Sequence, residues 1–391
     1  MTVQRLRVTL LTVLGACVVA VRAASAQTPP PKTMVDVGGH KLNVQVSGTA
    51  KPGVPTVVFE SGLGSPLAAW GSVPTEVAAS TRIVAYERAG IGASEPGPEP
   101  RSVKQIVSEL HALLAKIDVP PPYVLVGHSW GGPIIHSFAA TYPKEVVGLV
   151  YDDPTDFTQT DADMQAIWDK VGFKDGRDVM RKQTEALMGA APAGVRDEAR
   201  EVDRMERGGF AGLREAGDPP DMPTVILLAG KSQPPPAAIT FPVAFDKYFG
   251  AQLEQRRDHF GKLAERAAKG TLVETSKSSH FIHLTEPELL TWAIQRVLSA
   301  AAAAAPREDL DRFVGVYPIV PTFAITITRD GDALIGQATG QQSFVLSRKS
   351  ATTFSLVVVD AQIEFETDAD GIVTGMVLAQ NGQRMHAPKT K

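Results

Sequence analysis

The chain has 391 residues, of which 43% are hydrophobic and 21% are charged, a composition typical of a globular protein with one large and one smaller domain. Its 39 basic and 43 acidic side chains give a net charge of -4, and aromatic residues make up only 6%. Nucleic-acid-binding surfaces need a basic face and stacking aromatic side chains, so we expect no nucleic-acid partner.

Residues 1–26 have the pattern of an export signal. Arg5 and Arg7 precede an apolar run over residues 8–21, which is short for a membrane span, and Ala24-Ser25-Ala26 is a typical cleavage site. We therefore expect cleavage before Gln27 and a periplasmic or secreted protein. An uncleaved N-terminal anchor is an alternative.

A second alternative for the same segment is a lipoprotein signal. Leu14-Gly15-Ala16-Cys17 resembles a bacterial lipobox, although the apolar residues 18–21 after the cysteine argue against one. The protein would contact a membrane only if Cys17 were lipidated or the signal were retained. Cys17 is the only cysteine, so cleavage before Gln27 would exclude disulfides, cysteine nucleophiles and thiolate metal sites.

The first part of the chain alternates short strands with helices. Apolar runs predict strands at residues 34–37, 42–46, 55–60, 82–86, 123–126 and 146–151. Ser102–Ile117 has apolar residues at helical spacing. This alternation predicts an α/β fold with a mainly parallel sheet, whose functional side chains follow the carboxyl ends of the strands.

Residues 154–221 interrupt the alternation. This stretch is charged and predicts helices at 162–171, 177–188 and 195–207, without a clear buried strand. A helical insertion at the functional edge of the sheet would form a lid over the site. The sheet resumes at residues 222–230 and is followed by a helix over 245–268, a strand over 271–274 and a helix over 286–298. The core domain is therefore predicted at 27–153 and 222–299.

The last part of the chain is different in kind. Residues 300–306 form an alanine-rich stretch ending in proline, which we interpret as a linker. Residues 307–391 contain short alternating segments separated by turns such as Asp330-Gly331 and Asn381-Gly382. These features predict a small all-β domain, a meander or barrel of seven or eight strands.

The Gly127-His128-Ser129-Trp130-Gly131 segment carries the main chemical signal. It lies between a predicted strand and a predicted helix, the context in which G-x-S-x-G forms a sharp turn that exposes the serine hydroxyl. Ser129 is the candidate nucleophile. We interpret His128 as structural, because its side chain would point away from the nucleophile.

A serine nucleophile needs a base within hydrogen-bonding distance. His280 follows the last predicted strand of the core and is the candidate base, and His283 is a less favoured one. The His280-x-x-His283 spacing could also suggest a metal site, but no further ligands lie nearby in the sequence. We therefore expect no metal and no cofactor.

The acid that orients the base is harder to assign. The loop after the strand at 222–230 is the usual place for it, but Lys231-Ser232-Gln233-Pro234 contains no carboxylate. Asp153 follows the preceding strand and is the favoured acid, with Asp152 and Asp246 as alternatives.

Two backbone N–H groups must stabilise the charge that develops on the substrate oxygen. One is expected from Trp130, the residue after the nucleophile. The other is expected from Leu63 in the Ser61-Gly62-Leu63-Gly64 loop, where glycines allow a close approach of the backbone.

Residues from about 33 to 300 resemble the α/β-hydrolase superfamily. The resemblance rests on four ordered motifs, Glu60-Ser61-Gly62-Leu63-Gly64, Tyr86-Glu87-Arg88-Ala89-Gly90-Ile91-Gly92-Ala93-Ser94, Gly127–Gly132 and Ser279–Pro287. It implies an α/β-hydrolase sheet with a helical lid. Glu87 replaces a commoner aspartate, and some lipases of the superfamily have their acid after the earlier strand, as Asp153 would be. Residues from about 307 to 389 resemble a β-rich domain of unknown function that is appended to some exported bacterial hydrolases.

The resemblance and the residues together predict an exported serine hydrolase that cleaves a small-molecule carboxylic ester through an acyl-enzyme. Epoxide hydrolases and haloalkane dehalogenases of the superfamily attack with an aspartate, whereas Ser129 occupies that position here. Carbon–carbon bond hydrolysis and perhydrolysis use the same triad and stay open as alternatives. A non-catalytic binding protein on a hydrolase frame is a further alternative.

Overall fold

The computed structural model describes residues 32–51, 53–219, 221–233, 235, 237–267, 269–304, 310–331, 333–349, 352–356, 361–368 and 371–390. The predicted signal, Cys17 and the end of the predicted linker lie outside these residues. The chain divides into two compact units between Ala304 and Ala305, and each is described by itself.

The first unit contains an eight-stranded sheet with the order β1-β2-β4-β3-β5-β6-β7-β8. Its strands are β1 Lys32–Asp36, β2 Lys41–Ser47, β3 Thr56–Glu60, β4 Ile83–Tyr86, β5 Tyr123–His128, β6 Val146–Asp152, β7 Thr224–Ala229 and β8 Thr271–Thr275. β2 pairs antiparallel with β1 and β4, and the six strands from β4 to β8 in this order are parallel. The parallel strands therefore place their carboxyl ends at one edge.

Ten α-helices lie in the described part of this unit. They are α1 Val73–Ala78, α2 Val103–Lys116, α3 Gly131–Thr141, α4 Asp161–Val171, α5 Gly176–Gly189, α6 Ala193–Arg207, α7 Ala211–Ala216, α8 Phe245–Arg266, α9 Ile282–Thr285 and α10 Pro287–Ala304. Among the described residues, no helix combines the length and apolar character that crossing a membrane would require.

Two apolar layers cover the sheet because alternate side chains of a strand point to opposite faces. In β3, Val57 and Phe59 pack in the layer that includes residues of α1 and α10. Val58 packs in the layer that includes residues of α2, α3 and α8. Burial on both faces explains why these strands are continuously apolar in sequence.

The helical insertion between β6 and β7 consists of α4, α5, α6 and α7. The first three were predicted, and α7 was not. The predicted α/β fold with a mainly parallel sheet and a helical insertion is confirmed. The predicted linker is corrected at its start: residues 300–304 belong to α10, because alanine is the best helix former and no proline interrupts the run before Pro306.

The second unit is an antiparallel sheet of eight strands in sequential order, as the all-β prediction anticipated. The strands are β9 Gly315–Val320, β10 Phe323–Asp330, β11 Ala333–Ala338, β12 Ser343–Arg348, β13 Thr353–Leu356, β14 Ala361–Thr367, β15 Val373–Gln380 and β16 Gln383–Pro388. The Thr390 N–H donates to the Val316 carbonyl over 2.9 Å, so the end of the chain returns to the first strand and the sheet is nearly a barrel. Tyr317, Ile327 and Met376 are buried in its core.

Candidate functional site

The turn between β5 and α3 places Ser129 at the carboxyl edge of the sheet. Ser129 has a φ of 51°, which is uncommon for a residue with a side chain. The turn is closely packed: a Cβ on Gly131 would lie 2.1 Å from the Glu60 carbonyl oxygen, and one on Gly127 would lie 2.6 Å from the Gly131 carbonyl oxygen. The two glycines of the motif are therefore required by the turn itself.

The side chains predicted as nucleophile, base and acid lie together. His280 Nε2 is 3.0 Å from Ser129 Oγ, and His280 Nδ1 is 2.6 Å from Asp153 Oδ2. With Nδ1 protonated, the imidazole donates to the carboxylate and its Nε2 accepts from the serine hydroxyl. Asp153 is buried, whereas the His280 side chain is 43% exposed. The three residues follow β5, β6 and β8, and this common strand edge is what brings them into contact.

Asp153 has four hydrogen-bonding partners that hold it in place. Its N–H donates to the Leu227 carbonyl over 3.0 Å, and its Oδ1 accepts from the Ala229 N–H over 3.0 Å and from Arg256 Nη2 over 2.9 Å. Burial alone would raise the pKa of the Asp153 carboxyl, but Arg256, His280 and the Ala229 N–H together hold that pKa well below its usual range. The last residue of β7 thus contributes a backbone donor to Asp153, just before the loop in which a carboxylate is usual.

The alternative acids lie elsewhere. Asp152 Oδ2 accepts from His283 Nδ1 over 2.5 Å, and both side chains are buried. Asp246 is exposed and accepts from the Ser232 hydroxyl over 2.6 Å. The less favoured base, His283, is therefore paired with the less favoured acid rather than with Ser129.

A buried histidine cluster lies behind His280. His128 Nε2 donates to the His280 backbone carbonyl over 2.9 Å, and the His128 ring lies 4.5 Å from the His283 ring. Burial, followed by the nearby His280 and His283, holds the pKa of His128 well below its usual range. Position and hydrogen bonding thus support the interpretation of His128 as structural.

His128, Asp152 and His283 are also the one group in the described residues that brings three metal-binding side chains within 4.8 Å of one another. Each of them is engaged in a hydrogen bond to the protein. We interpret the group as a hydrogen-bonded cluster that supports the His280 loop, and we assign no metal to it.

The loop after β3 carries Leu63, the predicted second oxyanion donor. None of the hydrogen bonds found among the described residues uses the N–H of Leu63 or of Trp130. Arg88 holds the loop by donating to the Ser61 carbonyl over 2.6 Å and to the Gly62 carbonyl over 2.7 Å. Stabilisation of an oxyanion requires two N–H groups that are not bonded elsewhere, so Leu63 and Trp130 remain the candidate donors.

Arg88 is buried and joins the sheet to the insertion. It pairs with Glu60 of β3 and with Glu198 of α6, each over 2.6 Å. Burial raises the pKa of Glu60, although the neighbouring Arg88 opposes the shift. Glu198 Oε2 also accepts from the Gly64 N–H over 3.2 Å. The insertion is therefore anchored directly on the loop after β3 that carries the candidate oxyanion donor Leu63.

Two cavities open at this edge. One has a volume of about 340 Å³ and is lined by His280, Asp153 and Arg256 among others. The other, of about 610 Å³, is lined by Leu63 and by helices of the insertion. They share the lining residues Gln159, Glu206 and Gln252. Space for a small molecule therefore adjoins both the candidate base and the candidate oxyanion donor.

Sequence reasoning missed the charged residues that support the site: Glu60, Arg88, Glu198 and Arg256. Glu60 and Arg88 stand in the quoted motifs but received no role. Glu198 and Arg256 lie in charged helical stretches where nothing in the pattern separates them from exposed neighbours. Only their contacts in the structure identify Glu198 and Arg256, and the sequence of this chain contains no signal that would have singled out Arg256.

Residues 57–291 match the alpha/beta hydrolase family, more than half of the chain, and the protein therefore belongs to that family. Residues 299–387 match a domain of unknown function (DUF3471). The match identifies residues 57–291 as an alpha/beta hydrolase domain. This agrees with the resemblance that the sequence motifs indicated.

Two curated relatives and one solved structure are similar to this chain. The chain is 27% identical over 252 residues to the uncharacterized protein YqjL of Bacillus subtilis, covering 64% of this chain and 86% of that protein. It is 33% identical over 133 residues to the probable transporter efuK of Hormonema carpetanum. This match covers 32% of this chain and 19% of efuK, so the chain spans about a fifth of the length of efuK. The proline iminopeptidase structure from Mycobacterium smegmatis has 16% identity and a TM-score of 0.46, covering 71% of this chain and 100% of that one.

Proposed function

We propose that the protein is a serine hydrolase that cleaves a small-molecule carboxylic ester through an acyl-enzyme. The observation that carries the proposal is the continuous line of hydrogen bonds from Ser129 Oγ through His280 to Asp153, with contacts of 3.0 and 2.6 Å. A serine hydroxyl is a weak nucleophile at neutral pH, and an adjacent oriented base is the arrangement that activates it.

In the proposed mechanism, the Ser129 oxygen attacks the acyl carbon while its proton moves to His280 Nε2. Asp153 stabilises the imidazolium, and the N–H groups of Leu63 and Trp130 stabilise the oxyanion of the tetrahedral intermediate. His280 then protonates the leaving alcohol. Water, deprotonated by His280, attacks the acyl-enzyme to form a second tetrahedral intermediate. Its collapse breaks the bond between the acyl carbon and the Ser129 oxygen, and His280 returns the proton to that oxygen as the acid is released.

Replacement of the nucleophile tests this mechanism. Ser129→Ala should reduce kcat/KM for short p-nitrophenyl esters by about a thousandfold or more, since the acyl-enzyme can no longer form. A fluorophosphonate probe should label the wild type and leave the variant unlabelled. Full activity in Ser129→Ala, or no labelling of the wild type, would overturn the proposal.

A panel of esters, lactones and amides assayed on both proteins identifies the substrate class. Hydrolysis of esters that depends on Ser129 is the expected result. Activity confined to carbon–carbon bond cleavage or perhydrolysis would replace the ester assignment while keeping the triad. An unlabelled, inactive wild type would favour the non-catalytic alternative.

Export is part of the same proposal. The basic, apolar and Ala24-Ser25-Ala26 segments of residues 1–26 support cleavage before Gln27. Mass spectrometry of the purified mature protein should find Gln27 at the N-terminus. An acylated Cys17 would instead identify a lipoprotein, and an intact N-terminus would identify a retained anchor.

A further inference from the structure

The carboxylate of Asp153 is held by two groups besides the base. Its Oδ2 faces His280, whereas its Oδ1 accepts from Arg256 Nη2 over 2.9 Å and from the Ala229 N–H over 3.0 Å. Arg256 Nη2 also donates to the Pro154 carbonyl over 2.8 Å. The guanidinium therefore donates hydrogen bonds both to the side chain of the candidate acid and to the backbone next to it.

Arg256 reaches this position from the face of α8 that points into the protein. Its side chain is 10% exposed, and its guanidinium lies 5.8 Å from the Phe260 ring centroid. One turn further along the same face, His259 Nδ1 lies 2.8 Å from Asp156 Oδ2. α8 thus holds the segment from Asp153 to Asp156 at two points.

The contact has an electrostatic consequence for the base. A buried carboxylate that contacts only an imidazole exerts its full electrostatic attraction on that ring, and this attraction favours the protonated form of the ring. Here the charge of Asp153 is shared with a permanent cation on the opposite oxygen. The same cation keeps the buried carboxylate ionised, which the proposed mechanism requires.

From this geometry we propose that Arg256 is a positioning residue for the hydrolysis, which fixes Asp153 Oδ2 toward His280 and shares the carboxylate charge that faces the base. The proposal rests on the proposed function. It assigns to α8 a part in the chemistry, beyond its structural role as the connection from β7 to β8.

Other charged groups surround the same site and stay unchanged in the test. Asp156, Glu206 and Lys231 line the cavity that contains His280 and Arg256. The His128 ring lies 4.7 Å from the His280 ring on the buried side. Any change in the pH profile of an Arg256 variant can therefore be assigned to the guanidinium if the fold is kept.

The experiment compares Arg256→Gln, Arg256→Lys and Arg257→Gln in the full chain. Arg257 is the neighbouring residue on α8 and pairs with Glu274 at the surface, with its side chain 51% exposed, so it serves as a matched control. Fluorophosphonate labelling of the wild type and of Ser129→Ala is measured first. If the wild type is not labelled, the proposed function fails, and this outcome is distinct from a failure of the Arg256 proposal.

For Arg256→Gln we expect kcat/KM on a p-nitrophenyl ester to fall by about ten- to a hundredfold, because the acid loses its fixed orientation. We expect the acid limb of the kcat/KM profile to move up by about half to one pH unit, because the imidazolium then faces an unshared carboxylate. Arg256→Lys keeps the charge and should restore the wild-type acid limb, with a rate between those of the glutamine variant and the wild type. Arg257→Gln should behave as the wild type.

The proposal would be overturned if Arg256→Gln is folded and has the same kcat/KM and acid limb as Arg257→Gln. It would also be overturned if the acid limb of Arg256→Lys coincides with that of Arg256→Gln. Near-UV circular dichroism establishes whether each variant is folded. If Arg256→Gln does not fold, the lysine variant decides: a several-fold lower kcat/KM with an unchanged acid limb supports the proposal, and wild-type kcat/KM overturns it.

Discussion

Ser129 and Asp153 both adopt positive φ angles, 51° and 42°, in turns that follow neighbouring strands. Such a conformation costs a residue with a Cβ about 1–2 kcal/mol, so it persists only where surrounding contacts impose it. The contacts here join the two turns: the Ser129 N–H donates to the Asp152 carbonyl over 3.2 Å, and the Thr155 N–H donates to the Ser129 carbonyl over 2.9 Å. The candidate nucleophile and acid are therefore positioned as one unit.

Two adjacent aspartates provide a sharp test at this scale. Asp153→Asn should lower kcat by about a thousand- to ten-thousandfold, because an amide cannot stabilise the imidazolium or hold the required tautomer of His280. Asp152→Asn should lower it by less than about tenfold, because Asp152 contacts His283 and not His280. Steady-state kinetics on one ester, with urea unfolding of each variant, separates the loss of rate from the loss of stability.

The reverse order of effects would move the role of acid to Asp152. Equal and large losses in both variants would instead indicate that the pair acts through the stability of the turn. The unfolding curves decide between these outcomes. A purely catalytic loss leaves the urea midpoint of the variant unchanged, whereas a loss through the stability of the turn lowers it.

At the scale of elements, α6 is bound to the loop after β3 by buried charged groups. Glu198 is fully buried and bonds both Arg88 and the Gly64 N–H. Close packing continues along the helix start, where a Cβ on Gly64 would lie 2.9 Å from Val195. α6 therefore packs directly on the loop that carries Leu63 and lines the cavity beside it, so a movement of α6 would displace that loop.

Glu198→Gln should lower the free energy of unfolding by about 3 kcal/mol or more, since it leaves the buried Arg88 without one of its two carboxylates. Asp197→Asn is the matched control: its partner Arg200 is 65% exposed, and a surface pair contributes about 0–1 kcal/mol. Tryptophan-monitored urea unfolding measures both. Similar small changes in the two variants would show that the Arg88 network does not anchor α6.

At the scale of the whole molecule, the chain consists of two units that each bury their own apolar residues. The core of the first unit lies on the two faces of its sheet. The second unit encloses a separate cluster that includes Phe313, Phe354 and Phe365. All four tryptophans of the chain, Trp70, Trp130, Trp168 and Trp292, belong to the first unit.

A chain that ends at Ala304 should therefore fold and keep its activity. We expect kcat/KM for a p-nitrophenyl ester within about twofold of the full-length value and an unchanged tryptophan-monitored unfolding midpoint, because each unit has its own core. Loss of activity with an unchanged midpoint would contradict this expectation. It would assign the second unit a part in substrate binding.

Much of this architecture could be predicted from the sequence because it depends on local periodicity. Continuous apolar runs indicated the buried strands, and the alternating segments with Asp-Gly and Asn-Gly turns indicated the antiparallel unit. Residues 300–304 were misassigned because low complexity was interpreted as a linker, although alanine favours helix. α7 was missed because a six-residue helix offers too few turns for a periodic signal.

By itself the sequence determined the strand-turn-helix around Ser129, the order of the candidate residues along the chain, and the absence of a carboxylate from the loop after β7. These are properties of short segments, where backbone sterics and hydrophobic periodicity act. Only the tertiary structure decided that Asp153, and not Asp152, contacts His280, and that Arg256 and Glu198 are buried while Arg257 and Asp197 bond at the surface. Neighbouring residues of similar chemistry on one helix differ in burial and in partners because their side chains point to different sides of the helix. Which side is buried depends on how distant elements pack against that helix.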